Sequence, residues 1–77
     1  MPEVRFFAVL KDYFGTSIPL IEVSSISEIK KQLELLNPSS KDILNKSRFA
    51  LNEEFVDLDT KIESNDLIYV LPPSSGG

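Results

Sequence analysis

The chain has 77 residues, 42% of them hydrophobic, with eight Lys and Arg against twelve Asp and Glu and neither Cys nor His. That length makes one small domain able to bury only about 60 to 65% of its unfolded surface, so its core must be well packed. The missing Cys and His exclude disulfide staples, thiolate chemistry, the two best zinc ligands and a His general base. A net charge of −4 argues against nucleic acid, whose phosphates need a clustered cationic face. The longest apolar runs are five residues, far short of a membrane span. Met1-Pro2-Glu3-Val4-Arg5 has neither the basic start nor the apolar stretch of a signal peptide, so the expectation is a cytoplasmic protein with no membrane partner.

Val4 to Leu10 reads as a strand, with Val4, Phe6, Ala8 and Leu10 on one face and Arg5, Phe7 and Val9 on the other. Lys11 to Gly15 breaks the alternation, and Gly15-Thr16-Ser17 reads as a turn into a second strand, Ile18 to Val23, completing a hairpin. Pro19 assigns that strand to a sheet edge, because proline cannot donate to a ladder. Ser25-Ile26-Ser27-Glu28 fits a capping box, in which the Ser25 hydroxyl satisfies a free amide and Glu28 reaches back to the amide of Ser25 itself. The helix it starts carries Ile26, Ile29, Leu33 and Leu36 as one apolar stripe, with Lys30, Lys31, Gln32 and Glu34 facing out. Asn37-Pro38 ends it, with Asn37 as a left-handed cap. Ser39 to Asn45 is either a helical turn or a loop with Ile43 and Leu44 tucked under the core. Arg48 to Leu51 and Phe55 to Leu58 form strands around an Asn52-Glu53-Glu54 turn. Asp59 to Ile62 reads as a brief helical turn, Glu63 to Asp66 as a turn, and Leu67 to Leu71 as the last strand.

The order is strand, strand, helix, strand, strand, strand. Setting the first and fifth strands side by side and parallel at the centre, with the helix across one face, buries the most apolar residues. This is the α+β, β-grasp (ubiquitin-like) arrangement: a mixed five-stranded sheet with one main helix, spanning residues 1–71. A plain αβ sandwich of another strand order is the alternative. One helix covers one face of the sheet, yet the first and fifth strands are apolar on both. With Val4, Phe6, Ile68 and Val70 under the helix, Phe7, Tyr69 and Leu71 are left outside, with Phe55 or Leu58 beside them. Such a patch marks a partner surface unless loops such as Asp12 to Ser17 fold over it.

Residues 72–77, Pro72-Pro73-Ser74-Ser75-Gly76-Gly77, form a flexible tail beyond the last strand. Two prolines stop the ladder and hold the backbone extended. Fully extended, the tail spans roughly 20 Å at about 3.3 Å per residue, enough to enter a partner's channel. Gly76 and Gly77 have no Cβ, so the narrowest part of a channel can close around bare backbone. The only reactive group at the tip is the α-carboxylate. Ser74 and Ser75 have no activating partner and read as spacers. Elsewhere, Glu53-Glu54 and Asp57-Asp59 lie in turns or on solvated faces with no base, metal ligand or phosphate loop nearby, so no catalytic side chains, bound metal or bound cofactor are expected.

Three stretches, Val4-Arg5-Phe6-Phe7-Ala8-Val9-Leu10-Lys11, Ala50-Leu51-Asn52, and Asn65 through Gly77, resemble the MoaD family, the small sulfur-carrier subunit of molybdopterin synthase. The resemblance covers essentially the whole chain. Its most specific part is the turn Asp66, an apolar strand, Pro72-Pro73, two variable residues and the terminal glycines. The related thiamine-pathway sulfur carrier shares the glycines but usually lacks the Pro-Pro. What the resemblance implies is a ubiquitin-activating-type adenylyltransferase that uses ATP to adenylate the Gly77 carboxylate, after which sulfur displaces AMP to leave a thiocarboxylate. The tail then enters the large catalytic subunit, in a heterotetramer, and delivers sulfur to a cyclic pyranopterin precursor of the molybdenum cofactor. Family members dock partners through apolar residues matching Phe7, Phe55 and Leu71. Tyr69 joins these from the exposed-face argument, and Lys11 stands where the family often has Arg. Other departures are Asn65 for a common Gly, whose positive φ Asn also tolerates, Leu71 for a frequent Phe, and Ser74 for an apolar residue. The alternative functions are a thiamine-pathway carrier and a ubiquitin-like protein modifier.

Overall fold

The computed structural model describes residues 2–19 and 23–73. Its strands are β1 (Glu3–Phe6), β2 (Ser17–Pro19), β3 (Arg48–Leu51), β4 (Glu54–Val56) and β5 (Leu67–Leu71), and its helices α1 (Lys11–Phe14), α2 (Ile26–Leu36) and α3 (Lys41–Lys46). They form one five-stranded sheet in the order β2-β1-β5-β3-β4. β5 lies at the centre, parallel to β1 and antiparallel to β3, which is the β-grasp topology. Pro19 stands on the edge strand, as its missing donor requires. Among the described residues, no helix is long and apolar enough to cross a membrane.

Strand register sorts the side chains. Val4, Ile68 and Leu51 share one cross-strand row, and Phe6, Val70, Phe49 and Val56 share another. Both rows face α2, and Val4, Phe6, Ile68 and Val70 join Ile26, Ile29 and Leu33 in one buried cluster. Full burial of each such side chain contributes about 1.5 to 3 kcal/mol. Phe14 covers one end of this layer, stacking on Phe6 with ring centroids 4.7 Å apart.

The first strand is shorter than its apolar pattern. Ala8 takes a left-handed backbone, φ 54°, and the chain leaves the sheet there into a 3-10 turn over Ala8–Leu10 and then α1. Leu10 still reaches the core, from the turn rather than from a strand, while Ala8 is exposed. β1 and β2 therefore pair across a longer connection than a tight hairpin. Of the rest of the expected second strand, residues 20–22 lie outside the described residues, and Val23 is in no strand.

Around α2, four expectations change. Ser25 caps the helix by accepting from the Glu28 amide (3.3 Å), but the Glu28 carboxylate takes the amide of Ser24 (2.8 Å), not that of Ser25. The entering chain is held by bonds from Ile62 N–H to Ser24 O and from Ile26 N–H to Thr60 O, and in that geometry Ser24's amide is the one within reach. Leu36 is 64% exposed, because the last turn of α2 runs past the core and Leu44 of α3 joins the buried cluster instead. Lys30 and Glu34 do not face out freely. Each is 21% exposed, and Lys30 Nζ donates to Glu34 Oε2 (2.8 Å) and to Asn45 Oδ1 (2.6 Å), joining α2 to α3. Asn37 is extended (φ −143°) rather than left-handed, as a residue before proline prefers. Its Oδ1 accepts from the Ser39 amide, and its Nδ2 donates to the Tyr13 carbonyl.

Ser39 to Asn45 takes the helical option, as a short 3-10 turn leading into α3. Residues 59–62 form no helical turn; Thr60 N–H bonds Asp57 O, Lys61 bridges Ser25, and Ile62 is buried. β4 ends at Val56, two residues early, where the chain turns. In the Glu63 to Asp66 turn, Asp66 Oδ2 accepts from the Glu63 amide at 2.6 Å. Asn65 does not use a positive φ; among the described non-glycine residues that conformation occurs at Ala8, Asn52 and Glu53.

Candidate docking face at the root of the tail

The residues left outside the helix-covered layer form the other face of the sheet. Arg5, Tyr69, Ala50 and Phe55 stand in one cross-strand row, and Leu71 and Arg48 in the next. Phe7 extends the alternation one residue beyond β1, with φ −128° and ψ 152°, and its ring meets Tyr69 edge-on at 5.2 Å between centroids. Ala50, between the rings of Tyr69 and Phe55, is small enough to be buried by its neighbours at 7% exposure. Phe7 remains 37% exposed and Phe55 54%, so α1 and its flanking turns do not close over this face. Exposed aromatic area of this kind suits a partner surface rather than a second core.

Leu71 is half-buried at the end of β5, and Pro72 and Pro73 follow outside the strand. The sheet thus stops where the two missing N–H groups stop it. Ser74, Ser75, Gly76 and Gly77 lie outside the described residues. Lys11 is exposed at the start of α1 and makes no ion pair among the described residues. The structure therefore brings Phe7 and Tyr69 into contact and sets Phe55 in the same row, separated from Tyr69 by Ala50.

Phe55 has a partner that the sequence reading passed over. The guanidinium of Arg48 sits 3.7 Å from the centroid of its ring. The signal was available, since Arg48 alternates outward from Phe49, and hairpin pairing around Asn52-Glu53 sets Phe55 diagonally opposite it. An open depression of about 390 Å³ lies beside this pair, lined also by Val56, Asp57 and Leu58. On the far side of the face, Arg5 donates to Glu3 at 2.9 Å. That hydrogen bond, and then the Glu3 charge, raise the Arg5 pKa above its ordinary value. Among the described residues, no three carboxylates converge as a metal site requires. The face offers apolar area, aromatic edges and cations, which suit it to binding another protein.

Residues 4–77 match the ThiS family. A molybdopterin synthase sulfur carrier subunit of Dictyostelium discoideum is 37% identical over 82 residues, covering 97% of this chain and 94% of that relative. Among solved structures, the complex of subunits 1 and 2 of molybdopterin-converting factor from Helicobacter pylori 26695 contains a similar chain. It aligns with TM-score 0.70 and 28% identity, over 99% of this chain and 97% of that one. The small archaeal modifier protein 1 of Methanosarcina acetivorans shares the fold at TM-score 0.85 and 23% identity, covering 99% of this chain and 95% of that one.

Proposed function

The chain belongs to the ThiS family, and we propose that it is the sulfur-carrying small subunit of a molybdopterin synthase, with Gly77 as its working end. The observation that carries this reading is the contact of exposed Phe7 with half-buried Tyr69 on the sheet face that ends, through Leu71, in Pro72-Pro73. A partner seated on that face holds the root of the tail, and an extended tail of roughly 20 Å then reaches a buried active centre in that partner. Support for the identity of the partner comes from the two-subunit complex of the Helicobacter pylori relative, and support for the cargo from the sulfur carrier subunit of Dictyostelium discoideum.

In this mechanism the chain contributes one carboxylate and a docking surface. With an α-carboxyl pKa of about 3.5, the Gly77 terminus is an anion at neutral pH. One of its oxygens attacks the α-phosphate of ATP on an adenylyltransferase of the ubiquitin-activating type, and pyrophosphate leaves. Sulfur at the sulfide level, as hydrosulfide, adds to the acyl carbon and AMP departs with the acyl–phosphate oxygen, leaving a thiocarboxylate. The loaded chain docks on the large catalytic subunit through Phe7, Tyr69, Leu71 and Phe55. There the sulfur passes to a cyclic pyranopterin precursor and water restores the carboxylate. Side chains that move protons belong to the partners, and we place the cycle in the cytoplasm, where ATP is plentiful. Deleting Gly77 tests the reading in a reconstituted system with the large subunit, the activating enzyme, a sulfur source and the precursor. The deletion is expected to abolish molybdopterin formation while leaving folding unchanged; undiminished formation overturns the proposal.

A further inference from the structure

Arg48 stands at an informative point. It opens β3 directly across from Leu71, the last residue before the prolines, and its guanidinium is backed at 3.7 Å by the Phe55 ring. The ring covers one side of the group, leaving N–H donors that point away from it for another acceptor. No such acceptor is supplied among the described residues, where the ion pairs are Arg5–Glu3 and Lys30–Glu34. Asp57 lines the same depression without pairing with it.

We infer that Arg48 is a specificity-determining residue of the docking face, receiving a carboxylate from an Asp or Glu side chain of the partner protein. This rests on the docking reading above and adds to it a register key. A planar fork held against an aromatic ring matches a carboxylate bidentately. A phosphate group is the poorer fit, because several cations would have to converge on it, whereas here the single guanidinium has the acidic Asp57 in the same depression. Charge supports the same choice. On a chain of net charge −4, a carboxylate of the partner is repelled at most positions, so an acidic residue is tolerated where Arg48 meets it and penalised elsewhere. Because Arg48 is opposite Leu71, fixing that one contact also fixes where the tail leaves for the partner's interior.

The test is a calorimetric titration of the large subunit of molybdopterin synthase from the same organism with the unmodified chain, Arg48→Gln, Arg48→Lys and Phe7→Ala. Each is measured at about 50 mM and about 500 mM salt, with thermal unfolding as the check on folding. Arg48→Gln is expected to weaken binding about 10- to 30-fold at low salt, the scale of a lost charged hydrogen-bonded pair. The difference from the unmodified chain should shrink at high salt. Arg48→Lys keeps the charge, loses the fork and should fall in between. The inference is overturned if Arg48→Gln binds within about twofold of the unmodified chain while Phe7→Ala is weakened, an outcome that leaves the docking reading standing. It is overturned equally if the Arg48→Gln loss is the same at both salt concentrations, which assigns the residue to packing. Absence of binding by the unmodified chain, or full binding by Phe7→Ala, removes the docking reading and this inference together.

Discussion

Phe6 and Phe7 are neighbours in the chain that face opposite sides of the sheet, so truncating each to alanine separates folding from docking. Phe6 is 1% exposed and stacked on Phe14. Phe6→Ala is expected to cost about 3 to 5 kcal/mol, a large fraction of the roughly 4 to 12 kcal/mol that a domain of this size has in total. Phe7 is 37% exposed, so about three-fifths of a full phenylalanine burial is at stake, or about 1 to 2 kcal/mol. Its edge-on contact with Tyr69 adds about 0.5 kcal/mol or more. Urea unfolding followed by circular dichroism measures both losses, and titration of the large subunit measures binding. Phe7→Ala should fold and yet bind the partner about 30-fold more weakly, the equivalent of a 2 kcal/mol interface anchor. Phe6→Ala should be substantially unfolded. If Phe7→Ala loses as much stability as Phe6→Ala and its folded fraction binds the partner unchanged, the outer face is a wall of the core and the docking argument fails.

Four other variants test the local structure. Asn52 and Glu53 both have positive φ, 54° and 70°, the two central positions of a two-residue hairpin between Leu51 and Glu54. Glu53→Gly should therefore raise the unfolding free energy by about 1 kcal/mol; a loss of stability contradicts that turn geometry. Ser25→Ala removes the cap at the start of α2 and should lower stability by about 1 kcal/mol, seen as a fall of about 4 to 8 °C in melting temperature. Leu33→Ala and Leu36→Ala differ by three positions on one helix stripe, yet Leu33 is fully buried and Leu36 64% exposed. The first should cost about 2 to 5 kcal/mol and the second less than about 0.5 kcal/mol in denaturant titrations.

The fold was legible because its strongest signals are long-range consequences of simple patterns. Two strands apolar on both faces, with one helix between them, leave few ways to bury everything, and β5 does lie beside β1 at the centre of the sheet. What the pattern hid was backbone geometry. Ala8 sits within an uninterrupted apolar alternation, and nothing in that alternation distinguishes a strand from a left-handed step into a 3-10 turn that still delivers Leu10 to the core. Leu36 is likewise in phase with its stripe, and only the position of α3 beneath the neighbouring turns decides that Leu44 is buried in its place. The capping box missed by one residue because the amide that Glu28 reaches depends on how Ser24 is tied to Ile62, a contact between residues far apart in the chain.

The outer apolar face was legible for the same reason as the fold, since the placement of Phe7 and Tyr69 there follows from strand parity once the helix is assigned to the other side. Arg48 was passed over because a lone cation reads as solvated surface until its diagonal neighbour across the hairpin is identified as Phe55. Lys11 came from family resemblance rather than from packing, and it stands exposed on α1, beyond the sheet.

The central claim is that the carboxylate of Gly77 carries sulfur. Intact-mass measurement of the purified chain, after incubation with the activating enzyme, ATP and a sulfur source, tests it most directly. The account predicts a species in which one oxygen is replaced by sulfur, formed only when ATP is present and absent from the chain lacking Gly77. An unchanged mass, or a ladder of adducts to the lysines of other proteins, would contradict it.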